Sequence, residues 1–286
     1  MRLLLIFCLI YFSSSISFAE ERFSNSDGMK NEKSLSEVLK WSWSREEPKK
    51  EFIKTNENIN LNSLKNREHD ALWIGHSTFL INNGDLTILT DPIFSERASP
   101  LNFAGPKRLI KPVIKIKDLP EVDVITISHN HYDHLDINSL RKIQKKFPNV
   151  KILVPKGDLK LLRNYNLNNG FEFLWWEAIT LNNTKFIFTP AQHWSARGLR
   201  DRNKSLWGSW FIKNEDKNIF HAGDTGYSDD FMEIRNRLGP VDFAMIPIGA
   251  YDPQWFMSYS HVNPEEALSI AKDLDAKKSI GMHWGT

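Results

Sequence analysis

The sequence predicts an α/β fold in which sheets are sandwiched between helices. Three stretches predict it: a β-hairpin over residues 71–90, a strand, loop and helix in order from Val122 to Phe147, and a series of later strands followed by a capped helix at Asn263. In the first, Ala71-Leu-Trp-Ile74 and Ser77-Thr-Phe-Leu-Ile81 are short β-rich runs. Asn82-Asn-Gly84 turns the chain, and Leu86-Thr-Ile-Leu-Thr90 returns it. In the second, Val122 to Ser128 is a buried-strand run. Asp136 can cap a helix whose Ile137, Leu140, Ile143 and Phe147 share one face before Pro148 stops it. In the third, strands are expected at Lys151–Pro155, Thr184–Thr189, Trp207–Ile212, Asn218–His221 and Asp242–Pro247. Asn263-Pro264-Glu265-Glu266 then sets a cap, a first-turn proline and two acids against the positive end of a helix dipole.

Length and composition suit one catalytic domain with a sizeable core: 286 residues, 41% hydrophobic and 25% charged. Lys and Arg number 37 against 35 acids, so the formal charge of +2 gives no bulk attraction for nucleic acid. Arg2, the apolar run Leu3–Phe12 and the small residues Ser17 and Ala19 ahead of Glu20 read as a signal peptide over residues 1–19. The chain is therefore expected to be exported, periplasmic or secreted. The apolar run is shorter than the roughly 20 residues that span a bilayer. Its Cys8 is the chain's one cysteine, so any metal in the mature protein must be held by His and carboxylate groups. Residues 20–68 read as a polar, solvated arm, helical around Ser34 to Trp43, with Trp41 and Trp43 either packing it onto the domain or touching lipid. Residues 69–286 form the catalytic domain.

The decisive segment is Ser128-His129-Asn130-His131-Tyr132-Asp133-His134, at the end of a strand. Residues two apart in an extended segment face the same way, so His129 and His131 can grip one ion while Asp133 and His134, entering a turn, reach a second. Two tetrahedral sites need more donors than this loop holds. His193, Asp224 and His283 each follow a later strand and supply them. A carboxylate has two oxygens and can bridge, whereas a histidine offers one lone pair. The first site is thus His129, His131 and His193, the second is Asp133, His134 and His283, and Asp224 is shared. Asp91 is either a partner for the far ring nitrogen of a ligand histidine or a simple turn residue before Pro92. His69, His76 and His221 have no such spacing and are expected to be ordinary core or surface histidines.

These residues resemble the metallo-β-lactamase superfamily: His-x-His-x-Asp-His at 129–134, His193, the Gly223-Asp224-Thr225-Gly226 turn and His283. The resemblance implies an αβ/βα four-layer sandwich with two zinc ions at one edge. Longer strings are similar to the phospholipases D that hydrolyse N-acyl-phosphatidylethanolamine: Asp91-Pro-Ile-Phe-Ser95, Gly105-Pro-Lys-Arg108, Leu206-Trp-Gly-Ser-Trp210, Pro247-Ile-Gly-Ala-Tyr251, His261-Val-Asn-Pro-Glu-Glu266 and His283-Trp-Gly-Thr286. That likeness implies a membrane-associated homodimer releasing N-acylethanolamine and phosphatidic acid, with Tyr132 and His261 contacting substrate and Asp133 and His261 serving the chemical step. Tyr251, Trp255, Phe256, Met257 and Tyr259 would form a greasy lip, and Arg197, Arg200, Arg202 and Lys204 a basic loop, beside a phospholipid surface. The family continues beyond the position of Thr286, so the sequence predicts a truncated frame with His283 weakly anchored. The alternatives are another hydrolase on this fold, such as a lactonase or a different phosphodiesterase, and a non-catalytic metal-stabilised lipid-binding protein. A β-lactamase is disfavoured because the similar lactamases lack the aspartate bridge.

Overall fold

The computed structural model describes residues 22–29, 33–44, 70–101 and 103–285. The expected leader, residues 45–68 of the arm, His69 and Thr286 lie outside them. Two six-stranded sheets form the body. The first contains β1 (Asp70–Gly75), β2 (Thr78–Asn82), β3 (Thr87–Thr90), β4 (Val124–Thr126), β5 (Lys151–Pro155) and β6 (Gly170–Phe173), in that order. The second runs from β12 (Lys278–Met282) through β11 (Phe243–Pro247), β10 (Asn218–His221), β9 (Ser209–Lys213) and β8 (Thr184–Thr189) to β7 (Ala178–Leu181). Each sheet joins antiparallel strands at one side to parallel strands at the other.

Alternation along each strand feeds two cores. Phe79, Ile81 and Ile88 point into the larger one, between the sheets, with Phe186, Phe188 and Trp210. Their neighbours Leu80 and Leu89 point the other way, onto Leu140 and Ile143 of α2 (Ile137–Lys146) and Leu162 of α3 (Leu159–Asn164). Complete burial of each such side chain stabilises the fold by about 1.5–3 kcal/mol. On the far face of the second sheet, Phe231 and Ile234 of α4 (Asp230–Leu238) and Ala267 and Ile270 of α6 (Pro264–Asp273) extend the larger core. The four-layer αβ/βα sandwich is therefore the observed architecture.

The local signals operate as expected at both caps. Asp136 accepts from Asn138 N at 3.0 Å, and Asn263 and Glu266 form a reciprocal capping box with Pro264 in the first turn. One strand is shorter than its apolar run. β4 covers Val124–Thr126; backbone bonds from Asp91 N to Thr126 O and from Ile127 N to Leu153 O close it, and the Ser128 N–H then goes to the Asp91 carboxylate at 2.7 Å. The arm helix, α1 (Leu35–Ser44), forms where expected. Trp41 stacks on Phe256 of α5 (Gln254–Met257) at 5.1 Å and 8°, whereas Trp43 is 92% exposed. The arm is not solvated throughout, because Asn25 is buried and Phe23 packs on the larger core. No described helix is long and apolar enough to cross a membrane.

Candidate metal centre

Parallel strands place their carboxyl ends on one edge, and the candidate residues follow those ends. Asp91 follows β3, the loop 129–134 follows β4, Asp224 follows β10 and His283 follows β12. His193 follows β8, which runs antiparallel to β9 and hence in the same sense as β10. Within the loop, the N–H groups of His134 and Leu135 both go to His131 O, one helical turn that swings Asp133 and His134 away from His129 and His131. Gly223 lets Asp224 approach: its φ is +62°, and a Cβ there would lie 2.4 Å from the Ser128 Cβ.

All seven expected ligands converge. His129 Nε2 lies 2.9 Å and His193 Nε2 3.3 Å from His131 Nδ1. Asp224 Oδ2 lies 3.0 Å from His283 Nε2, 3.2 Å from His134 Nε2 and 3.9 Å from His129 Nε2, between the two groups. Asp133 Oδ2 is 3.5 Å from His283 Nε2 and 3.7 Å from His134 Nε2. The far nitrogens are engaged: His193 Nδ1 donates to Ser260 O at 3.0 Å and His134 Nδ1 to Asp91 Oδ2 at 2.7 Å. His129 Nδ1 pairs with Ser128 Oγ at 2.9 Å, and that hydroxyl donates to Asp91 Oδ2 at 2.6 Å. Between the two open readings of Asp91, the geometry selects the partner of a ligand histidine. With those tautomers set, the inward Nε2 atoms of His129 and His193 carry lone pairs that meet at His131 Nδ1. Hydrogen bonds alone do not satisfy this arrangement, because Asp224 Oδ1 is buried without a hydrogen bond. Divalent cations fit it, and an all-nitrogen-and-oxygen donor set suits zinc among others.

Charge divides the cluster in two. Burial pushes His131 down to about 4 and His193 to about 3, and holds His129 well below the ordinary range with the neighbouring rings adding to it. At His134 and His283 burial pulls the same way, but Asp224 and then Asp133 outweigh it: His134 is raised well above its usual value and His283 to about 9. The same rings, His134 foremost, hold both carboxyls well below the carboxylate range against the effect of burial.

His76 departs from the plain role expected of it, whereas His221 is an ordinary buried core histidine. His76 Nε2 lies 3.1 Å from Asp133 Oδ2, so it fastens a ligand carboxylate from the β1–β2 turn. His221 Nε2 meets Ser77 O at 3.1 Å beneath Asp91. His76 is separated from the motif by half a hundred residues and has no spacing relation to it. A histidine between two strands of the opening hairpin was the one available signal.

The weak anchoring expected of His283 is also corrected. β12 pairs in parallel with β11, His283 N donates to His76 O, and Trp284 stacks on Trp73 at 4.9 Å. Gly249 admits the His283 carbonyl, which would lie 1.9 Å from a Cβ at that position.

His261 faces Asp224 with Nδ1 at 3.9 Å from Oδ2 and no hydrogen-bond partner. Chiefly through burial it is pushed down to about 3, so it is neutral at physiological pH. Tyr132 lines two cavities, one of 290 Å³ shared with His76, Asp133 and His283 and one of 590 Å³ shared with Asp158 and Arg197. Its hydroxyl donates to Arg197 O, and the Arg197 guanidinium sits 3.9 Å over its ring. Arg197 is not a surface base of the 197–204 loop: Nη1 donates at 2.8 Å to both Asn130 O and Leu135 O, tying together the two ends of the ligand loop. Asp133 lies within reach of His134 and His283, and ahead of His261 the side chains of Tyr251 and Trp255 are partly exposed.

Comparison with known proteins agrees with this geometry. The family model for the β-lactamase superfamily domain matches residues 87–284. The chain is 42% identical over 226 residues to an N-acyl-phosphatidylethanolamine-hydrolysing phospholipase D of Caenorhabditis elegans, covering 76% of this chain and 64% of that protein. It is 42% identical over 222 residues to the mitochondrial enzyme of that description from Saccharomyces cerevisiae, covering 75% of this chain and 47% of the relative. It thus spans less than two thirds of either relative's length. Among solved structures, a metallo hydrolase from Ignicoccus hospitalis superposes with a TM-score of 0.57 at 21% identity, over 76% of this chain and 82% of that one. With a match across more than half its length and the matching sandwich, the chain belongs to the β-lactamase superfamily and carries its metallo-hydrolase fold.

Proposed function

We propose that the protein is a dinuclear zinc phosphodiesterase of phospholipase D type, hydrolysing N-acyl-phosphatidylethanolamine-like lipids. The observation that carries this reading is the convergence of His129, His131 and His193 on one side of Asp224 and of Asp133, His134 and His283 on the other. Asp224 would be the shared ligand. When bound, the ions would polarise a phosphoryl oxygen and lower the pKa of water towards neutrality. In the reaction water adds to phosphorus, the bond from phosphorus to the ethanolamine oxygen breaks, and N-acylethanolamine leaves with a proton while phosphatidic acid remains.

His261 is held neutral, so its role is to place a hydrogen bond on the phosphate or leaving oxygen rather than to act as an imidazolium acid. Tyr132 and the 290 Å³ cavity, which also reaches Lys107 and Arg108, would receive the charged part of the lipid. The substrate class comes from the two phospholipase D relatives.

Trp43, Leu35 and Leu39 are exposed on α1, next to the lip at α5, and this supports peripheral contact with a phospholipid surface. Homodimer assembly and export through residues 1–19 belong to the same proposal. The test is metal content by plasma mass spectrometry, paired with release of N-acylethanolamine in detergent. Near two zinc ions per chain with product is the expected result; two ions without product would move the substrate to other diesters or lactones.

A further inference from the structure

Residues 22–29 lie outside the span matched by the family model, yet they are built into the metal centre. The segment folds back on itself: Gly28 N donates to Asn25 O at 2.8 Å, Asn25 N to Met29 O at 3.0 Å and Met29 N to the Asp27 carboxylate at 2.7 Å. This closed turn presents Asn25, which is 3% exposed. Asn25 Oδ1 accepts two bonds, from His193 N at 3.0 Å and from Trp207 Nε1 at 2.8 Å. Asn25 Nδ2 donates to Tyr259 Oη at 3.1 Å. Phe23 N donates to Asn203 O at 2.8 Å, and Asn203 N donates to Ser195 O, two residues beyond His193.

These bonds meet at a single ligand. The His193 ring is oriented by its donation to Ser260 O, and Ser260 adjoins Tyr259, which Asn25 holds. The His193 backbone is fixed by Asn25 directly. One buried amide therefore fixes both the backbone of His193 and the segment that aims its ring. A buried His193 N–H without this acceptor would be left unsatisfied, and the peptide would shift to find a partner.

We propose that residues 22–29 form a clasp that completes the metal centre, with Asn25 as a positioning residue for His193. The inference rests on the reading of His193 as a metal ligand. Outer partners of ligand histidines set ring orientation, and their loss typically weakens metal binding about 10- to 100-fold. Ser260 O is such a partner of the His193 ring, and Asn25 acts behind it, through the His193 backbone and Tyr259.

The test compares Asn25→Ala, Asn25→Leu and Asn25→Asp in the full-length protein. Zinc affinity is read by chelator competition, the visible spectrum of the cobalt-substituted protein reports ligand geometry, and melting of the metal-free protein reports folding. Alanine and leucine should each weaken the more labile ion about 10- to 100-fold and change the cobalt spectrum. Aspartate keeps an oxygen acceptor for His193 N–H and Trp207 Nε1–H and should restore both readouts. If wild-type protein holds two ions and alanine keeps both affinity and spectrum, the clasp plays no part in positioning and the inference fails alone. Equal loss in all three variants, tracking a lower melting temperature of the metal-free chain, would overturn it in favour of a purely structural role. A wild-type chain that takes up no metal would sink the metal-centre reading itself, and the clasp with it.

Discussion

The two halves of the candidate metal centre share one loop and one carboxylate, yet their rings are charged in opposite ways. His129, His131 and His193 are neutral because burial outweighs the carboxylates that oppose it, Asp224 at all three and Asp133 as well at His131. His134 and His283 lie between Asp133 and Asp224, and two carboxylates overcome the same burial. The first half is thus a neutral nitrogen pocket ready for a cation. The second is an ion-paired cluster from which a cation must displace protons.

Removing the shared group should break this comparison most severely. Asp224→Ala deletes the one oxygen within reach of both halves. Metal occupancy should fall in both, and phosphodiester turnover should drop by more than the roughly 100-fold typical of an outer-shell change. Retention of either ion at wild-type affinity would show that the halves are independent. Asp91→Ala comes next, because Asp91 orients His134 directly and His129 through Ser128. We expect about 10- to 100-fold weaker binding in both halves, against a smaller loss confined to the His129 side for Ser128→Ala.

Acidity sharpens the contrast. His283 must lose its proton to bind, so affinity of the second half should climb as pH rises towards about 9, and uptake there should release protons. His131 and His193 are already unprotonated well above about 4 and 3, so binding in the first half should be flat across neutral pH. Calorimetric metal titrations in buffers of different ionisation enthalpy measure both. Equal proton release from the two halves would contradict the division.

Arg197→Met leaves the Asn130 and Leu135 carbonyls without their shared donor while keeping much of the side chain's bulk. The expected cost is on the order of 1–3 kcal/mol of stability in thermal unfolding. A matching loss of metal from both halves would follow, since the loop serves both. The smallest effect is expected from Trp43→Ala. This exposed residue should weaken liposome co-sedimentation and leave turnover in detergent unchanged.

The convergence of the candidate ligands was legible in the sequence because they follow strand ends and four of them fall within six residues. Period-two apolar runs around Phe79, Ile88 and Phe186 located the sheets that carry them. What escaped the sequence depends on distant partners. Asn25 and His76 acquire their roles only when the chain folds back on His193 and Asp133, and nothing in the spacing connects those pairs. β6 and β7 are only four residues long each, so the alternation within Gly170–Phe173 and Ala178–Leu181 is too brief to mark a strand. Arg197 looked like a member of a solvated basic run because composition cannot tell which of several cations turns inward.

The measurement that tests the central claim most directly is the metal stoichiometry of the intact protein by native mass spectrometry, with Asp224→Ala alongside. The account predicts two divalent ions per chain in the wild type, with occupancy of both halves falling in the variant. A wild type saturating at one ion, or a variant that keeps two, would contradict a centre in which Asp224 joins the halves.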